Sequence, residues 1–367
     1  MTVGFFSPLP PARTGVSDYS AALLRALQPF GQVIVDKHDA DIHLYHLGNN
    51  QLHRYIYRKA LEAPGVVVLH DGVLQHFFLG SLSESGYVAE FIYNYGAWSE
   101  DLARDLWLCR ARSAADPRYF RYPMLRRIAE RSLALIVHNP RAAEMVREHA
   151  PAAIIHEIPH LWEAPQLPAD SDVIRLRAEL GLAPHTFLFG VFGHLRESKR
   201  LPAVLRAFER ARGAADVALL IAGEFVSPDL ARSLEPVLAR AGILRIGFTK
   251  ESDFWRYAAT VDACINLRYP AAGETSGIAI RLMGIGKPVI LTAACETSGF
   301  PEAACVRVDS GVAEEALLTE YMTWLARFPE DARAIGRRAS AYIREFHAVG
   351  RVARLYWQAV SDCYHKD

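Results

Sequence analysis

The fold class of this chain is decided by one stretch, Tyr269 to Leu291, which runs YPAAGETSGIAIRLMGIGKPVIL. Its pattern predicts the end of a buried strand, a polar loop, an apolar helix that begins near Gly277, and a second buried strand over 288–292. Units of strand, helix and strand build parallel sheets whose faces are covered by helices. The stretch therefore predicts an α/β fold.

Runs of the same kind recur along the whole chain, separated by stretches of helical periodicity. A proline-rich polar segment, Glu163–Asp172, divides these runs into two series and predicts a linker. We therefore predict two doubly wound, Rossmann-like domains. The predicted strands cover 3–7, 32–36, 42–46, 66–70, 133–138 and 154–158 in the first series and 187–192, 217–223, 243–247, 263–267, 288–292 and 305–308 in the second.

Length supports the same organisation, because 367 residues are many for a single hydrophobic core. We expect domains over 1–165 and 166–345, and a C-terminal helix over 346–367 that packs back on the first domain. Ligands of doubly wound sheets bind beyond the carboxyl ends of the strands. Functional side chains are therefore expected directly after strands.

Composition narrows the possible functions. The net charge is zero, which argues against nucleic-acid binding, and no apolar run is long enough to cross a membrane. The N-terminus lacks a signal-peptide pattern, so a cytoplasmic protein is expected. The five cysteines show no Cys-x-x-Cys spacing, which favours isolated thiols over disulfides or a zinc site.

The polar loop of the opening stretch carries Glu274, Thr275, Ser276 and Gly277 where the helix is predicted to begin. The first N–H groups of a helix lack partners and its dipole is positive there, so this position suits an anion such as a diphosphate. A carboxylate beside it is suited to accept hydrogen bonds from hydroxyl groups, as on a sugar. Together these groups suggest a nucleotide sugar as ligand.

A second polar loop follows the predicted strand 187–192. Gly193 permits a sharp turn, and Arg196 and Lys199 then precede a helix. A guanidinium and an ammonium at this spacing can neutralise a diphosphate without a metal ion. The alternative is a solvated basic loop.

Strand ends in the first half offer further candidates. Gly15 lies in the turn after the first strand, either facing a ligand or forming an ordinary strand-to-helix turn. His70 and Asp71 end the strand 66–70, where His70 could hydrogen-bond a hydroxyl or relay a proton. Asp71 could instead cap a helix. His138 ends the strand 133–138, and Glu302 in the second half could bind hydroxyls or cap a helix.

In their order along the chain, these segments resemble the family 4 retaining glycosyltransferases, which have the GT-B fold. The resemblance covers nearly the whole chain and rests on an ordered set of short motifs. They are Gly15-Val-Ser-Asp-Tyr, Ile158-Pro-His, Gly193-x-x-Arg196-x-x-Lys199, Ala222-Gly-Glu, Ile246-Gly-Phe, the Glu274 loop with Gly286-Lys-Pro-Val-Ile, and Gly299-Phe-Pro-Glu302.

The resemblance implies two domains facing each other across a cleft, and transfer of a sugar, typically a hexose, from a nucleoside diphosphate sugar with retention. It implies no cofactor and no metal, with Arg196 and Lys199 on the diphosphate and Glu274 on the donor sugar. The family has a second glutamate that holds the ribose, and Arg281 stands at that position here. Gly-Glu-Thr-Ser-Gly in place of the usual motif suggests a subgroup.

The acceptor side is expected in the first domain, past Gly15 and His70, with a glycan or a lipid-linked saccharide as acceptor. Eight arginines against three acidic residues between 104 and 131, among aromatic residues, could rest on anionic lipid at the inner membrane face. A solvated basic face over an aromatic core is the alternative. Two other functions share the architecture, namely a nucleotide-sugar epimerase and a non-catalytic nucleotide-sugar binding protein.

Overall fold

The computed structural model describes residues 1–12 and 14–365, and it divides them into two compact units. Unit 1 comprises Met1–Glu163, Pro270–Thr275 and the chain from Phe346 onwards. Unit 2 comprises Ala164–Tyr269 and Ser276–Glu345. Residues 366 and 367 of the expected C-terminal helix lie outside the described residues.

Unit 1 is built on a six-stranded parallel sheet in the order β2-β1-β3-β4-β5-β6. The central strands are buried on both faces, as their uninterrupted apolar sequences require. The strands are β1 (Thr2–Phe6), β2 (Gln32–Val35), β3 (Ile42–Leu47), β4 (Val66–Leu69), β5 (Ala134–Val137) and β6 (Ile155–Glu157). The helices are α1 (Gly15–Leu27), α2 (Arg54–Glu62), α3 (Gln75–Ser81), α4 (Glu84–Tyr95), α5 (Glu100–Leu108), α6 (Arg126–Arg131) and α7 (Pro140–His149).

Unit 2 contains a second six-stranded parallel sheet, in the order β12-β11-β10-β7-β8-β9. Its strands are β7 (Phe187–Phe192), β8 (Val217–Ala222), β9 (Ile243–Ile246), β10 (Ala263–Asn266), β11 (Val289–Ala293) and β12 (Val306–Asp309). Its helices are α8 (Asp170–Glu179), α9 (Leu201–Arg212), α10 (Pro228–Leu238), α11 (Glu251–Thr260), α12 (Gly277–Gly284), α13 (Glu314–Arg327) and α14 (Pro329–Phe346).

The last helix, α15 (Val349–Tyr364), belongs to unit 1. Val352, Tyr356 and Val360 recur at helical spacing and are buried in the same hydrophobic core as β1, β3 and β4. The hydroxyl of Tyr356 lies 2.7 Å from that of Tyr19 on α1. The predicted return of the C-terminal helix to the first sheet is therefore confirmed.

The two parallel sheets confirm the predicted fold class, and the strand bounds agree to within a residue or two. Among the described residues, none of the five cysteines forms a disulfide bond. Within the described residues, the helices are all too short or too polar to cross a membrane.

Candidate functional site

In unit 2, the chain turns sharply as it leaves the carboxyl end of β7. Gly193 has a φ of +85°, and its N–H donates to the carbonyl of Ala222 at 2.9 Å. A methyl group on Gly193 would lie 3.5 Å from Ile278 Cγ1 and 4.0 Å from Lys199 Nζ. Gly193 therefore lies close to both the Lys199 ammonium and Ile278 in the first turn of α12.

Lys199 is fixed in place, because only 4% of its surface is exposed and its Nζ donates to the Phe192 carbonyl at 2.6 Å. It lies in a short 3₁₀ turn, Glu197–Lys199, whereas Arg196 just before this turn is exposed. Burial lowers the pKa of the neighbouring His194, and the positive charges of Arg196 and Lys199 lower it further. Arg196 and Lys199 therefore bring two positive charges to the loop after β7.

The start of α12 is held by two polar side chains. Ser276 caps the helix by accepting a hydrogen bond from the N–H of Ala279 at 3.3 Å. Its hydroxyl also accepts from Nδ2 of Asn266, at the end of β10, at 2.6 Å. Asn266 was not among the residues predicted from the sequence. An amide side chain at the end of an apolar strand is the pattern that could have indicated it. The N–H groups of Gly277 and Ile278 thereby keep a fixed position, available to an anion.

In unit 1, the loop Pro270–Thr275 is attached to the end of β5 by hydrogen bonds of Asn139 and Thr275. Asn139 Nδ2 donates to the carbonyl of Gly273 at 2.9 Å and to the hydroxyl oxygen of Thr275 at 3.0 Å. The Thr275 hydroxyl donates in turn to the carbonyl of His138 at 3.2 Å. Asn139 is 6% exposed, and we term this set of bonds the Asn139 clamp.

The same loop lies directly against the end of β4. A methyl group on Gly273, whose φ is +70°, would come within 2.9 Å of the Cα of Gly72. One on Gly72 would meet the sulfur of Met145 at 2.8 Å. Gly273 therefore requires glycine, whereas a methyl group on Gly72 would displace the flexible Met145 side chain. The close approach of the two backbones fixes the chain beside Glu274. The Glu274 carboxylate accepts a hydrogen bond from the N–H of Ala272 at 2.6 Å, which fixes its orientation.

The predicted residues His70 and His138 lie together in a buried cluster of aromatic rings. The His70 ring stands edge-on to Tyr19 at 4.9 Å, and its centroid is 5.2 Å from that of His138. His70 Nε2 shares a hydrogen bond with His46 Nδ1 at 2.9 Å. The Asp71 carboxylate accepts a hydrogen bond from the N–H of Asn49 at 2.7 Å. It does not cap α3, which begins at Gln75.

Burial keeps these histidines neutral. It lowers the pKa of His46 and His70 well below the ordinary value, and that of His138 to about 4. His138 Nδ1 lies 2.9 Å from the carbonyl of Ile158, which can only accept, so Nδ1 carries the proton. His138 Nε2 is then an acceptor, buried without a hydrogen-bond partner in the described part of the chain.

Buried neutral histidines, both in this cluster and elsewhere in unit 1, predict a loss of stability in mild acid. Burial lowers the pKa of His53, His138 and His347 to about 4, against about 6.5 in an unfolded chain. Below pH 6.5 the unfolded chain binds protons that the folded chain does not. The free energy of unfolding should therefore fall between about pH 6 and 4.5, by about 1.4 kcal/mol per pH unit for each histidine. Urea unfolding at several pH values measures this slope.

The variant for this measurement is His53→Asn, which removes one buried imidazole. We expect it to reduce the slope by about 1.4 kcal/mol per pH unit. Equal slopes in the wild type and His53→Asn would contradict the assignment of a neutral His53.

The other predicted residues are more isolated. Gly15 is the exposed first residue of α1, which is capped by the Thr14 hydroxyl. Glu302 is exposed and begins a short 3₁₀ turn. The structure thus groups Gly193, Lys199 and the first turn of α12 in unit 2, and His70, His138 and the Glu274 loop in unit 1. Within 1–12 and 14–365, no group of three or more histidine, cysteine, aspartate or glutamate side chains is placed so that it could hold a metal ion.

Arg281, at the position of the family's second glutamate, is engaged by α11. Its guanidinium lies 3.9 Å from the ring centre of Phe254 and 4.4 Å from that of Trp255, and it forms an ion pair with Glu251. The indole N–H of Trp255 donates to the same Glu251 carboxylate at 2.8 Å. The carboxylate beside Arg281 is therefore that of Glu251, which is carried by α11, whereas Arg281 lies on α12.

No model of a known protein family matches this sequence, and comparison with characterised proteins by sequence finds no relative. Solved structures do match. HepE from Anabaena, crystallised with UDP and glucose, is 14% identical over 99% of this chain and 100% of its own, with a TM-score of 0.71. Sucrose-phosphate synthase from Thermosynechococcus elongatus gives 14% identity over the whole of both chains and the same TM-score of 0.71.

The likeness extends to other enzymes. WaaG, a glycosyltransferase involved in lipopolysaccharide biosynthesis, is 13% identical over 98% of this chain and 99% of its own, with a TM-score of 0.62. A structure assigned as a UDP-N-acetylglucosamine 2-epimerase from Listeria monocytogenes is 13% identical over 100% and 97%, with a TM-score of 0.56. At such identities the likeness establishes the fold. The chain has the GT-B fold, as its sequence predicted.

Proposed function

We propose that the protein is a retaining glycosyltransferase of the family 4 type, which moves a hexose from a nucleoside diphosphate sugar to a glycan or lipid-linked acceptor. One observation carries the proposal, namely that the buried Lys199 ammonium and the first turn of α12 both lie close to Gly193. A fixed cation and a helix N-terminus together suit a diphosphate. Unit 2 is thereby proposed as the donor side and unit 1 as the acceptor side.

The chemistry that this arrangement supports is stabilisation of the departing diphosphate. Lys199, Arg196 and the N–H groups of Gly277 and Ile278 act on the charge that develops as the sugar leaves. These groups are positioned before the reaction, so little reorganisation is needed, and a donor of this kind contributes about 3–4 kcal/mol. The proposed reaction uses no metal ion and no further cofactor.

Each remaining site residue has a proposed task. Glu274 accepts hydrogen bonds from donor-sugar hydroxyls, and Thr275, Ser276 and Glu302 add polar contacts to the donor. Gly15 is proposed to contact the donor as well, and His70, Asp71 and His138 belong to the acceptor side. Because its pKa is depressed, His70 is better suited to hydrogen-bonding a hydroxyl than to relaying a proton. We propose that the donor phosphates assist deprotonation of the acceptor.

The shared fold with HepE, whose crystals contain UDP and UDP-glucose, supports a nucleotide sugar as the donor. The same comparison motivates one alternative, because a structure assigned as an epimerase has this fold too. An epimerase would convert the donor without any acceptor. A binding protein, suggested by the missing second glutamate, would do neither.

One experiment separates the three functions. The protein is incubated with uridine, guanosine and adenosine diphosphate sugars, first alone and then with a panel of saccharide and lipid-linked acceptors. The products are analysed by NMR, which also reports the anomeric configuration. A new glycosidic linkage with the anomeric configuration of the donor supports the proposal. A linkage of inverted configuration, an epimerised donor or nucleotide binding without turnover refutes it.

Removal of the Glu274 carboxylate should separate the sugar from the diphosphate. We expect Glu274→Ala to weaken binding of the sugar nucleotide about tenfold or more, because the hydroxyls lose a charged acceptor, and to leave the bare nucleoside diphosphate almost unaffected. Calorimetry with both ligands measures the difference, and Glu320→Ala, on the exposed face of α13, is the matched control. Equal losses for the two ligands would rule out contact between Glu274 and the sugar.

The basic segment between 104 and 131 bears on the acceptor. Four of its eight arginines form ion pairs with carboxylates, which reduces the charge left for anionic lipid. The paired residues are Arg104, Arg118, Arg126 and Arg127. We therefore propose a cytoplasmic enzyme whose contact with the inner membrane face, if its acceptor is lipid-linked, is peripheral.

A further inference from the structure

A cavity of about 650 Å³ lies at the opposite edge of the unit 2 sheet from the proposed donor site. It is formed where β7 begins and just before β10 and β11, whereas Gly193 and Asn266 lie at the carboxyl ends. The six residues of β7 separate the two edges by roughly 20 Å, at about 3.3 Å per residue. A ligand in this cavity would therefore be distinct from the sugar donor.

The charged side chains that line the cavity are three cations, Arg177, Lys287 and Arg333, and two carboxylates, Asp170 and Asp262. Arg177 and Asp262 neutralise each other, with a guanidinium nitrogen 3.1 Å from the carboxylate. Lys287 Nζ donates to the carbonyl of Ala259 at 2.8 Å, and no carboxylate lies within 4.0 Å of it among the described residues. Two N–H bonds of this ammonium remain for a ligand.

The burial of Lys287 makes the positive charge of its ammonium energetically unfavourable. Burial lowers the pKa of its ammonium, and the positive charge of Arg177 adds to this effect, while Asp262 opposes it. An anion bound against Nζ would offset the cost of burial. Arg333 on α14 supplies a second cation, exposed at the mouth of the cavity and paired with Glu330.

The rest of the lining is mixed, because the polar side chains of Asp170, His185, Thr186 and Thr260 stand among apolar ones. A volume near 650 Å³ falls within the range of small-molecule sites. The apolar lining comes from the linker, α8, the turn before β7 and the end of α12, through Leu167, Pro168, Val173, Pro184 and Ile285.

We propose that this cavity binds a small organic anion, whose carboxylate or phosphate group lies against Lys287, with Arg333 at the mouth, and whose body packs on the apolar wall. The site is independent of the proposed sugar transfer. α12 begins at the proposed donor site and ends beside the cavity, where Ile285 and Lys287 follow it. Its eight residues place the two ends about 12 Å apart, at 1.5 Å per residue.

The test uses the full chain and three probes of similar size, namely glycerol 3-phosphate, lactate and uncharged glycerol. Calorimetry compares the wild type with Lys287→Gln, Arg333→Gln and Lys199→Met, and with Arg337→Gln, which lies on the exposed face of α14. We expect saturable binding of at least one anion but not of glycerol. Lys287→Gln should weaken it about tenfold or more, Arg333→Gln by less, and the other two variants not at all.

Glycerol 3-phosphate and lactate distinguish a phosphate from a carboxylate as the recognised group. Circular dichroism shows whether Lys287→Gln folds; if it does not, Arg333→Gln decides, and unchanged affinity in that variant overturns the proposal. Absence of saturable binding by both anions overturns it too. Binding that Lys199→Met abolishes and Lys287→Gln leaves intact would place the anion in the donor site and equally overturn it.

Discussion

Replacement of Lys199 by methionine is expected to weaken nucleoside diphosphate binding roughly 30-fold or more. Lys199 is a buried cation, and truncation of one partner of a buried charge pair typically costs about 2–5 kcal/mol. Methionine fills similar space, so the loss reports the charge and its hydrogen bonds rather than an empty cavity. Turnover should fall at least as far, because the same charge stabilises the leaving diphosphate.

Calorimetry with the diphosphates of uridine, guanosine and adenosine measures the effect, and thermal unfolding shows whether the variant still folds. Arg210→Met, on the exposed side of α9, is the matched control. Arg196→Ala should cause a smaller loss, because Arg196 is exposed and its interactions are screened by solvent. Full affinity in both the Lys199 and Arg196 variants would remove the diphosphate site from this loop.

The local hydrophobic pattern of the sequence was sufficient to predict both sheets and most of the elements of unit 2. Runs such as 187–192 and 217–223 are apolar throughout, and burial on both faces of a parallel sheet leaves few other structures for them. The turn after β7 was predictable because a glycine directly after a strand permits the positive φ that the structure shows at Gly193. Sequence placed Lys199 at the mouth of the site, whereas its side chain is buried against the Phe192 carbonyl.

The contacts of unit 1 could not be predicted in the same way. Asn139 precedes Pro140 and caps α7 through Oδ1, which already explains an asparagine at that position. Its second role, through Nδ2, depends on residues more than 130 positions further along the chain. The histidines likewise end separate strands, and only the assembled sheet brings His46, His70 and His138 together.

The Asn139 clamp leads to the second large effect. Aspartate at position 139 retains an oxygen that accepts from the N–H of Ala142, so α7 should keep its cap. It loses both N–H donors and sets a carboxylate against the Gly273 carbonyl and the Thr275 hydroxyl oxygen. The segment that carries Glu274 is then released from the end of β5, although the Lys199 loop and the start of α12 are unchanged.

We therefore expect Asn139→Asp to lower kcat/KM for the sugar nucleotide by roughly 30–150-fold, the equivalent of about 2–3 kcal/mol. Affinity for the bare nucleoside diphosphate should change little, because Asn139 acts by positioning the Glu274 loop. Steady-state kinetics and calorimetry measure these two quantities. Thr275→Val removes one of the two acceptors and should give a smaller loss of the same kind.

Asn139→Ala is the control for helix capping, since it removes the cap as well as the clamp. Loss of the cap should lower its free energy of unfolding by about 1 kcal/mol, with a kinetic defect similar to that of Asn139→Asp. If stability and turnover fall in proportion across the two variants, Asn139 acts only through folding. Wild-type kinetics in Asn139→Asp, or equal losses for sugar nucleotide and diphosphate, would show that the loop does not depend on the clamp.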